Sequence, residues 1–339
     1  MKPEREALIN NFLSESFWKD ARKTNIASDA SRRSYFRLTL GKGRTSIFMD
    51  APPEFGEDVT KFLKVRDYLD AKGLSVPKVY DKDTKNGFLI LEDFGDNLFT
   101  KFLLNSPHSE PHCYINATKN LVKLYHSGAD KDADIYDSSA MRNATLLSLD
   151  WYVKYGMDTV KCSEFQNSLK LLMDDALSKI INEPMIMVHR DFHAENLIWL
   201  NERNGFKRVG ILDFQDMMLG HPAYDLASLL NDIRRNVKNK VRQECLNYYT
   251  QNTGLNKDTF FRAFCICSAQ RNLRVLGVFT RLSVRDKKKN YLNFLPAIWE
   301  NLLRDLKHPA LKDLETFVKS SFNAPDHTVI TRIRDSHAS

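Results

Sequence analysis

His189-Arg190-Asp191-Phe192-His193-Ala194-Glu195-Asn196 is followed, after one short hairpin, by Asp213-Phe214-Gln215. Oxygen-bearing side chains in this order suit phosphoryl transfer. A phosphoryl group moving in line between two oxygens asks little covalent chemistry of a protein; it needs metal held on the phosphates and an oriented acceptor hydroxyl. Asp191 can take or orient the hydroxyl proton. Asn196, five positions further along the same loop, offers an amide oxygen to magnesium, and Asp213 supplies a charged oxygen from the next strand. ATP and Mg2+ are the cofactors such a site calls for. His189 joins the catalytic set in a structural role, as a neutral imidazole that fixes the loop backbone and braces the Asp213 turn.

The flanks support this order. Met185-Ile186-Met187-Val188 is a short apolar strand leading into the motif, and Leu197-Ile198-Trp199-Leu200 leaves it. A turn at Asn204-Gly205 precedes Val209-Gly210-Ile211-Leu212, which runs directly into Asp213. Strand, loop, hairpin and metal-binding aspartate follow one another as in the kinase catalytic segment.

With His193 two positions after Asp191, and with Asp213, Gly220 and Asp225-Leu226-Ala227 in sequence, the chain resembles the aminoglycoside phosphotransferase-like small-molecule kinases. A serine/threonine protein kinase usually carries lysine in place of His193. The resemblance implies that Asp225 braces the catalytic loop through its backbone donors. No Ala-Pro-Glu or long activation segment follows Asp213, which argues against a protein substrate. A closer resemblance, to the anomeric sugar kinases acting on N-acetylmuramate and N-acetylglucosamine in bacterial cell-wall recycling, rests on further phrases. These are Asp29-Ala30-Ser31, Tyr35-Phe36-Arg37, Met49-Asp50-Ala51-Pro52-Pro53, Glu92-Asp93-Phe94-Gly95-Asp96, Asp213-Phe214-Gln215-Asp216, Gly220-His221-Pro222-Ala223-Tyr224-Asp225 and Ala269-Gln270-Arg271-Asn272. It implies an amino-sugar acceptor and an α+β, two-lobed protein-kinase-like fold, with a small N-terminal antiparallel-sheet lobe and a larger, mainly helical C-terminal lobe.

Length and composition agree with that architecture. A chain of 339 residues exceeds the usual single-domain size, so two lobes are expected: a nucleotide-binding lobe over 1–94, a catalytic and substrate lobe over 95–322, and a loosely held tail over 323–339. With 42% apolar and 27% charged residues, dominant disorder is excluded, and no apolar run approaches the ~18 residues that span a bilayer. The N-terminus lacks the sections of a secretory signal, so a cytoplasmic protein without membrane partners is expected. Five scattered cysteines, Cys113, Cys162, Cys245, Cys265 and Cys267, read as core thiols in a reducing compartment. A formal net charge of +7 suits anionic nucleotides better than nucleic acid, since the one tight basic run, Lys287-Lys288-Lys289, has no interleaved aromatics. A monomer is expected.

Along the first lobe, Leu8, Phe12 and Phe17 mark an amphipathic segment. Strands Tyr35 to Leu40 and Thr45 to Met49 are joined by Gly41-Lys42-Gly43, and a helix from Glu57 to Ala71 has Val59, Phe62, Leu63 and Tyr68 on its buried face. No glycine-rich phosphate loop is present. Ser28-Asp29-Ala30-Ser31-Arg32-Arg33-Ser34 stands in its place, either as a surface turn or with Ser31, Arg32 and Ser34 reaching the phosphates. Glu92-Asp93-Phe94 reads as the hinge, where backbone groups meet adenine. The strand ending at Met49 lacks the lysine that steadies nucleotide phosphates in kinases. That leaves a pseudokinase, or replacement of the cation by Arg32, Arg33 or Arg37. Beyond Leu98, helical spacing covers 112–126, 139–155, 165–181, 224–237, 242–253, 257–281 and 291–305.

On the acceptor side, an anomeric hydroxyl is more acidic than an ordinary alcohol, so a weakly basic carboxylate serves it. A lactyl carboxylate on muramate would seek an arginine fork, for which Arg271 or Arg274 are candidates against plain surface pairing. Gln215 and Asp216 are candidates for sugar hydroxyls. Kinases of choline, homoserine or aminoglycosides, and a nucleotide-binding pseudokinase scaffold, are the alternatives.

Overall fold

Alternating apolar and polar residues on either side of Gly41-Lys42-Gly43 fold as a hairpin within a larger sheet. The computed structural model describes residues 3–26, 33–130, 132–157 and 162–336. Their Cα packing separates two units, Met1–Ser106 with Glu195–Asp216, and Pro107–Ala194 with Met217–Ser339.

In the first unit, helix α1 (Pro3–Glu15) precedes strands β1 (Arg22–Ile26), β2 (Ser34–Thr39), β3 (Thr45–Asp50), β4 (Val79–Asp83) and β5 (Phe88–Glu92). The strands form one antiparallel sheet in the order β1-β2-β3-β5-β4. Register in the hairpin runs from Ser34 opposite Asp50 to Thr39 opposite Thr45. Ile9 and Trp18 pack with Leu38, Phe48, Phe88 and Ile90 from the sheet, joined by Phe12 and Leu13. The face expected through Leu8 and Phe17 is therefore turned by one residue. Leu8 is 43% and Phe17 66% exposed, because Phe17 lies past the helix end and Trp18 takes the buried position beside it.

Helix α2 (Val59–Ala71) starts where the Asp58 carboxylate accepts the Thr60 N–H, a side-chain cap for an otherwise unsatisfied amide. It buries Val59, Phe62, Val65 and Leu69. Phe62 meets Phe214 with ring centroids 4.8 Å apart, which seats the helix beside the Asp213 turn. Helix α3 (Phe99–Asn105) follows.

Four short strands come next. β6 (Ile186–Val188) pairs with β9 (Met218–Gly220) in the second unit, while β7 (Leu197–Trp199) and β8 (Val209–Ile211) form a hairpin in the first. That hairpin belongs with the first unit because its backbone is bonded there. The Trp199 N–H donates to the Asn97 carbonyl, the Ile211 N–H to the Ser75 carbonyl, both at 2.8 Å, and the Ser75 hydroxyl to the Lys207 carbonyl. The unit thus extends past residue 94, the boundary expected from sequence. Gly210 permits the close approach, since a Cβ there would lie 2.8 Å from the Phe94 ring.

The second unit holds α4 (Glu110–Tyr125), α5 (Ser138–Thr145), α6 (Lys154–Gly156), α7 (Cys162–Ser178), α8 (Ala223–Leu230), α9 (Asn239–Thr253), α10 (Lys257–Val284), α11 (Leu295–Leu306), α12 (Lys312–Ser321) and α13 (His327–Asp335). α10 is its central element, with Phe264, Ile266, Leu273 and Leu276 fully buried. The single helix expected over 139–155 is broken by a π-helical turn at Ser148–Val153. There Gly277 of α10 runs so close that a Cβ would lie 2.1 Å from the Leu147 carbonyl oxygen. The helix expected over 224–237 stops at Leu230, because the next two side chains turn inward. Asn231 reaches Ser268 and Asp305, and Asp232 accepts the Arg234 N–H, local bonds that compete with helix continuation.

The tail expected beyond Phe322 to be loosely held is instead ordered through Asp335. Asp326 caps α13, which buries Val329 and Ile333 against Gly156. Cys113, Cys245, Cys265 and Cys267 are buried free thiols, and burial pushes Cys113, Cys245 and Cys265 up to about 12. No helix among the described residues is long and apolar enough to cross a membrane.

Candidate active site

Two clusters contain the motif residues, one in each unit. In the second unit, β6 delivers the chain into a loop held at both ends by carboxylates. Asp225, buried in the first turn of α8, accepts the His189 N–H at 2.6 Å and the Arg190 N–H at 2.9 Å. Burial raises the Asp225 carboxyl, while His189 and the two amide bonds pull it back down. Further along, Asp232 accepts the Ala194 N–H at 2.9 Å. Arg190 takes a left-handed backbone, φ 73°, a strained conformation for a long side chain that such pinning sustains. His189 Nδ1 accepts the Asp191 N–H at 3.3 Å, one more bond inside the loop.

Asp191 projects from this frame with its side chain 42% exposed, and Arg274 Nη1 lies 3.8 Å from its Oδ1. Burial pushes its carboxyl up, but neighbouring charges, Arg274 first and then His193, Arg271 and His189, outweigh that and hold it well below the usual carboxylate range. Burial pushes His193 itself down to about 3, so it is neutral at pH 7. The loop therefore carries an ionised, reachable carboxylate at neutral pH. Arg271, the expected substrate residue, is part of the same electrostatic cluster with Arg274 and Tyr224.

In the first unit, the β7–β8 hairpin holds Asn196 and Asp213. The Leu212 N–H donates to the Asn196 carbonyl at 2.9 Å, tying the residue before Asp213 to Asn196 itself. Asp213 is left-handed, φ 56°, a conformation that a short aspartate tolerates better than most residues. The Gln215 amide donates to Asp213 Oδ1 at 2.8 Å and its own Oε1 is buried without a partner. Gln215 thus has its amide nitrogen turned toward the aspartate. Asp216 is 64% exposed and lies 3.9 Å from Lys61. Magnesium takes oxygen donors and needs one or two protein carboxylates when substrate phosphates complete its sphere. The side-chain amide oxygen of Asn196 and the carboxylate of Asp213, whose backbones the Leu212 bond keeps together, are of that donor type.

Among the residues expected at the nucleotide, Ser31 and Arg32 lie outside the described residues. Ser34 opens β2 opposite Asp50. The hinge side chains are engaged in structure: Glu92 accepts from Arg203 at 2.7 Å and from the Lys78 N–H, and Asp93 accepts the Gly95 N–H. Phe94 stacks under the Arg203 guanidinium. Of the candidate cations, Arg37 is committed to Asp96 and Asp93, which hold it firmly charged. Arg33 instead pairs with Glu57, Nε to Oε2 at 2.6 Å. Its neighbour Tyr35 links the pair electrostatically to Asp213: burial pushes the Tyr35 hydroxyl up, Arg33 pulls it down, and Asp213 pushes it up again.

Sequence reasoning missed Glu57 and Asp232. Asp232 stands seven residues after Asp225 but just past the end of α8 at Leu230, so helical spacing did not reveal its role. Glu57 read as the first residue of a helix and gave no signal either.

Comparison with known proteins fits these clusters. The phosphotransferase enzyme family model matches residues 24–259. The N-acetylmuramate/N-acetylglucosamine kinase of Caulobacter vibrioides is 32% identical, covering 94% of this chain and 96% of that protein. The protein of the same name from Neisseria meningitidis serogroup B is 30% identical, covering 89% of this chain and 91% of its own. Among solved structures, ADP-bound aminoglycoside phosphotransferase APH(2'')-Ib superposes with a TM-score of 0.60 at 16% identity, over 89% of this chain and 99% of that one. A choline/ethanolamine kinase family protein from Mesorhizobium loti gives 0.61 at 11% identity, over 97% and 99%. At such identity the structures speak to fold alone, and it is the α+β, protein-kinase-like one. With most of its length covered by the family model and by relatives of about one-third identity, the chain belongs to the phosphotransferase enzyme family.

Proposed function

We propose that this chain transfers the terminal phosphoryl group of ATP to the anomeric hydroxyl of N-acetylmuramate, N-acetylglucosamine or both, within cell-wall recycling. The relatives that share about a third of its residues over nearly its whole length carry that kinase name. The observation that carries the chemistry is Asp191, a reachable carboxylate kept ionised by Arg274 and Arg271. Such a carboxylate can orient an acceptor hydroxyl and relieve it of its proton as the phosphoryl group arrives, and the choice of the anomeric hydroxyl of an amino sugar is supported by the names of the relatives.

In this reading Asn196 and Asp213 hold magnesium on the nucleotide, where the ion neutralises phosphate charge. Gln215 keeps Asp213 oriented. Arg33, fixed by Glu57, supplies the cation that the strand ending at Met49 lacks. His189, Asp225 and Asp232 keep the loop in shape.

A kinase for a polycationic acceptor is disfavoured by the two arginines around Asp191, which would repel it. The decisive experiment incubates the protein with ATP, magnesium and a panel of amino sugars, choline, homoserine and an aminoglycoside, and follows ADP. Mass and phosphorus NMR then locate the new phosphate. Phosphate at the anomeric position of an N-acetylated sugar is expected. Phosphate at the six position defeats the anomeric assignment, and ADP-free incubations with every acceptor point to a pseudokinase.

A further inference from the structure

We propose that Arg271 and Arg274 form a seat for a carboxylate carried by the acceptor, so that the enzyme prefers the acidic N-acetylmuramate to its neutral counterpart. The inference rests on the amino-sugar reading above and adds to it a specificity device.

Arg271 and Arg274 are three residues apart on α10, hence on one face of the helix. Arg271 is only 3% exposed. Among the described residues its side chain makes no hydrogen bond, and its Nε is buried without a partner. Arg274, 17% exposed, lies 3.8 Å from Asp191 Oδ1 and beside the Tyr224 hydroxyl. The nearby Arg234 has its own carboxylate, Asp232, at 3.5 Å. His193 stays neutral, and Arg271 and Arg274 both face the Asp191 carboxylate electrostatically. Arg271 is left with a partnerless Nε in a largely buried place.

A buried charge without a counter-ion is costly, and removing one partner from such a pair is strongly destabilising. A fold that keeps this arrangement is built for an anion to complete it. The guanidinium fork matches a planar carboxylate through two parallel bonds. The lactyl ether of N-acetylmuramate carries such a group a few bonds from the hydroxyl that Asp191 would orient. A neutral sugar leaves the arginine unpaired, and a site with an unpaired buried charge discriminates against the ligand that fails to satisfy it. An acceptor carboxylate also competes with Asp191 for Arg274, which loosens Asp191 at the moment its oxygen is needed.

The transferred phosphoryl group is the other anion available, and kinetics separate the two sources. The wild-type protein is assayed with N-acetylmuramate, its methyl ester and N-acetylglucosamine at saturating ATP, followed by Arg271→Gln, Arg271→Lys and Arg274→Gln. The ester, which differs from the natural sugar only by a masked charge, is expected to lose ~100-fold in kcat/KM, chiefly through KM. Each Gln variant is expected to collapse the ratio of kcat/KM for N-acetylmuramate over N-acetylglucosamine by a similar factor, with Arg271→Lys restoring part of it. Equal losses with both sugars assign the arginines to the phosphoryl group and overturn the proposal, as does an ester that performs like the free acid. The ester comparison needs no variant, so misfolding of Arg271→Gln leaves the test intact. If the wild-type protein phosphorylates neither sugar, the amino-sugar reading itself falls and this inference with it. A wild-type enzyme active on both sugars but indifferent to the charge sinks only the carboxylate seat.

Discussion

The Arg33 guanidinium rests on the Glu57 carboxylate at 2.6 Å, and its neighbour Tyr35 feels the charge of Asp213. In the proposed reading this fixed cation, just ahead of β2, stands in for the lysine that steadies the nucleotide phosphates in kinases. Arg33→Met is expected to raise KM for ATP and lower kcat/KM for ATP by about 10–100-fold, with Arg33→Lys intermediate. Glu57→Gln should produce a smaller loss, and the double variant less than the sum of both, because the residues act together. Steady-state kinetics with ATP varied decide the point: an Arg33→Met enzyme with unchanged ATP parameters assigns the phosphate cation elsewhere.

Asp225 satisfies two successive amides of the motif loop, one of them fully buried. Bonds to a charged acceptor contribute about 1.5–3 kcal/mol each, and an amide left buried without a partner costs a comparable amount. Asp225→Ala is expected to lower the unfolding free energy by about 3–5 kcal/mol, with Asp225→Asn losing less. Urea unfolding followed by circular dichroism measures it. A loss below about 1 kcal/mol, the range of ordinary surface substitutions and weak caps, would mean that the loop keeps its shape without this brace.

The extent to which these features were legible in the chain follows from how local each one is. The motif His189 to Asn196 and the Asp213 turn were readable because strand, loop and hairpin are set by short apolar runs and turn residues, and the β6 to β8 strands fall where those runs place them. The five-stranded sheet was readable in part: β1 has only polar and basic residues but for Ile26, so nothing in its pattern announced an edge strand. The turned face of α1 escaped because the choice between Leu8 and Ile9 depends on what the sheet offers, here Phe48 and Phe88. Likewise the breaks after Thr145 and Leu230 come from tertiary neighbours, Gly277 in one case and Ser268 with Asp305 in the other. The roles of Arg33, Glu57 and Gln215 depend on partners that are distant or newly oriented, which spacing does not encode.

Asp305 lies 3% exposed in α11, with the Ser268 hydroxyl and the Asn231 amide donating to it. Burial pushes its carboxyl up to about 6, against the opposing pull of those donors and of Arg304 and Arg242. Since the folded value exceeds the unfolded one, near 3.9, the fold binds the proton more tightly. The contribution of this group is then greatest below about pH 4 and declines as pH rises to about 6, by roughly 3 kcal/mol. Urea unfolding of the wild type and of Asp305→Asn at pH 4 and pH 7 tests this. The advantage of the wild type over the variant should shrink by about that amount between the two pH values. A difference that stays constant would show that Asp305 does not titrate in this range.

Asp191 has the opposite sign. Burial alone would raise its carboxyl, yet Arg274 and Arg271 hold it well below the usual carboxylate range. It therefore remains charged throughout the range in which the protein is assayed, and no acid limb of kcat/KM above about pH 5 belongs to it. Asp191→Asn is expected to lower kcat by about 10²–10⁴-fold while KM for ATP shifts less than about threefold, because in the proposed reading the carboxylate meets the acceptor and not the nucleotide. Removing the nearer charge with Arg274→Met leaves burial less opposed, so the carboxyl rises and protonates at higher pH. An acid limb should then enter the pH profile of kcat/KM for the neutral sugar, moving activity loss toward neutrality, while Asp191→Asn shows no such limb. A pH profile of Arg274→Met that superimposes on the wild type would mean that the 3.8 Å pair leaves the ionisation of Asp191 untouched, and would remove Arg274 as the group that tunes it.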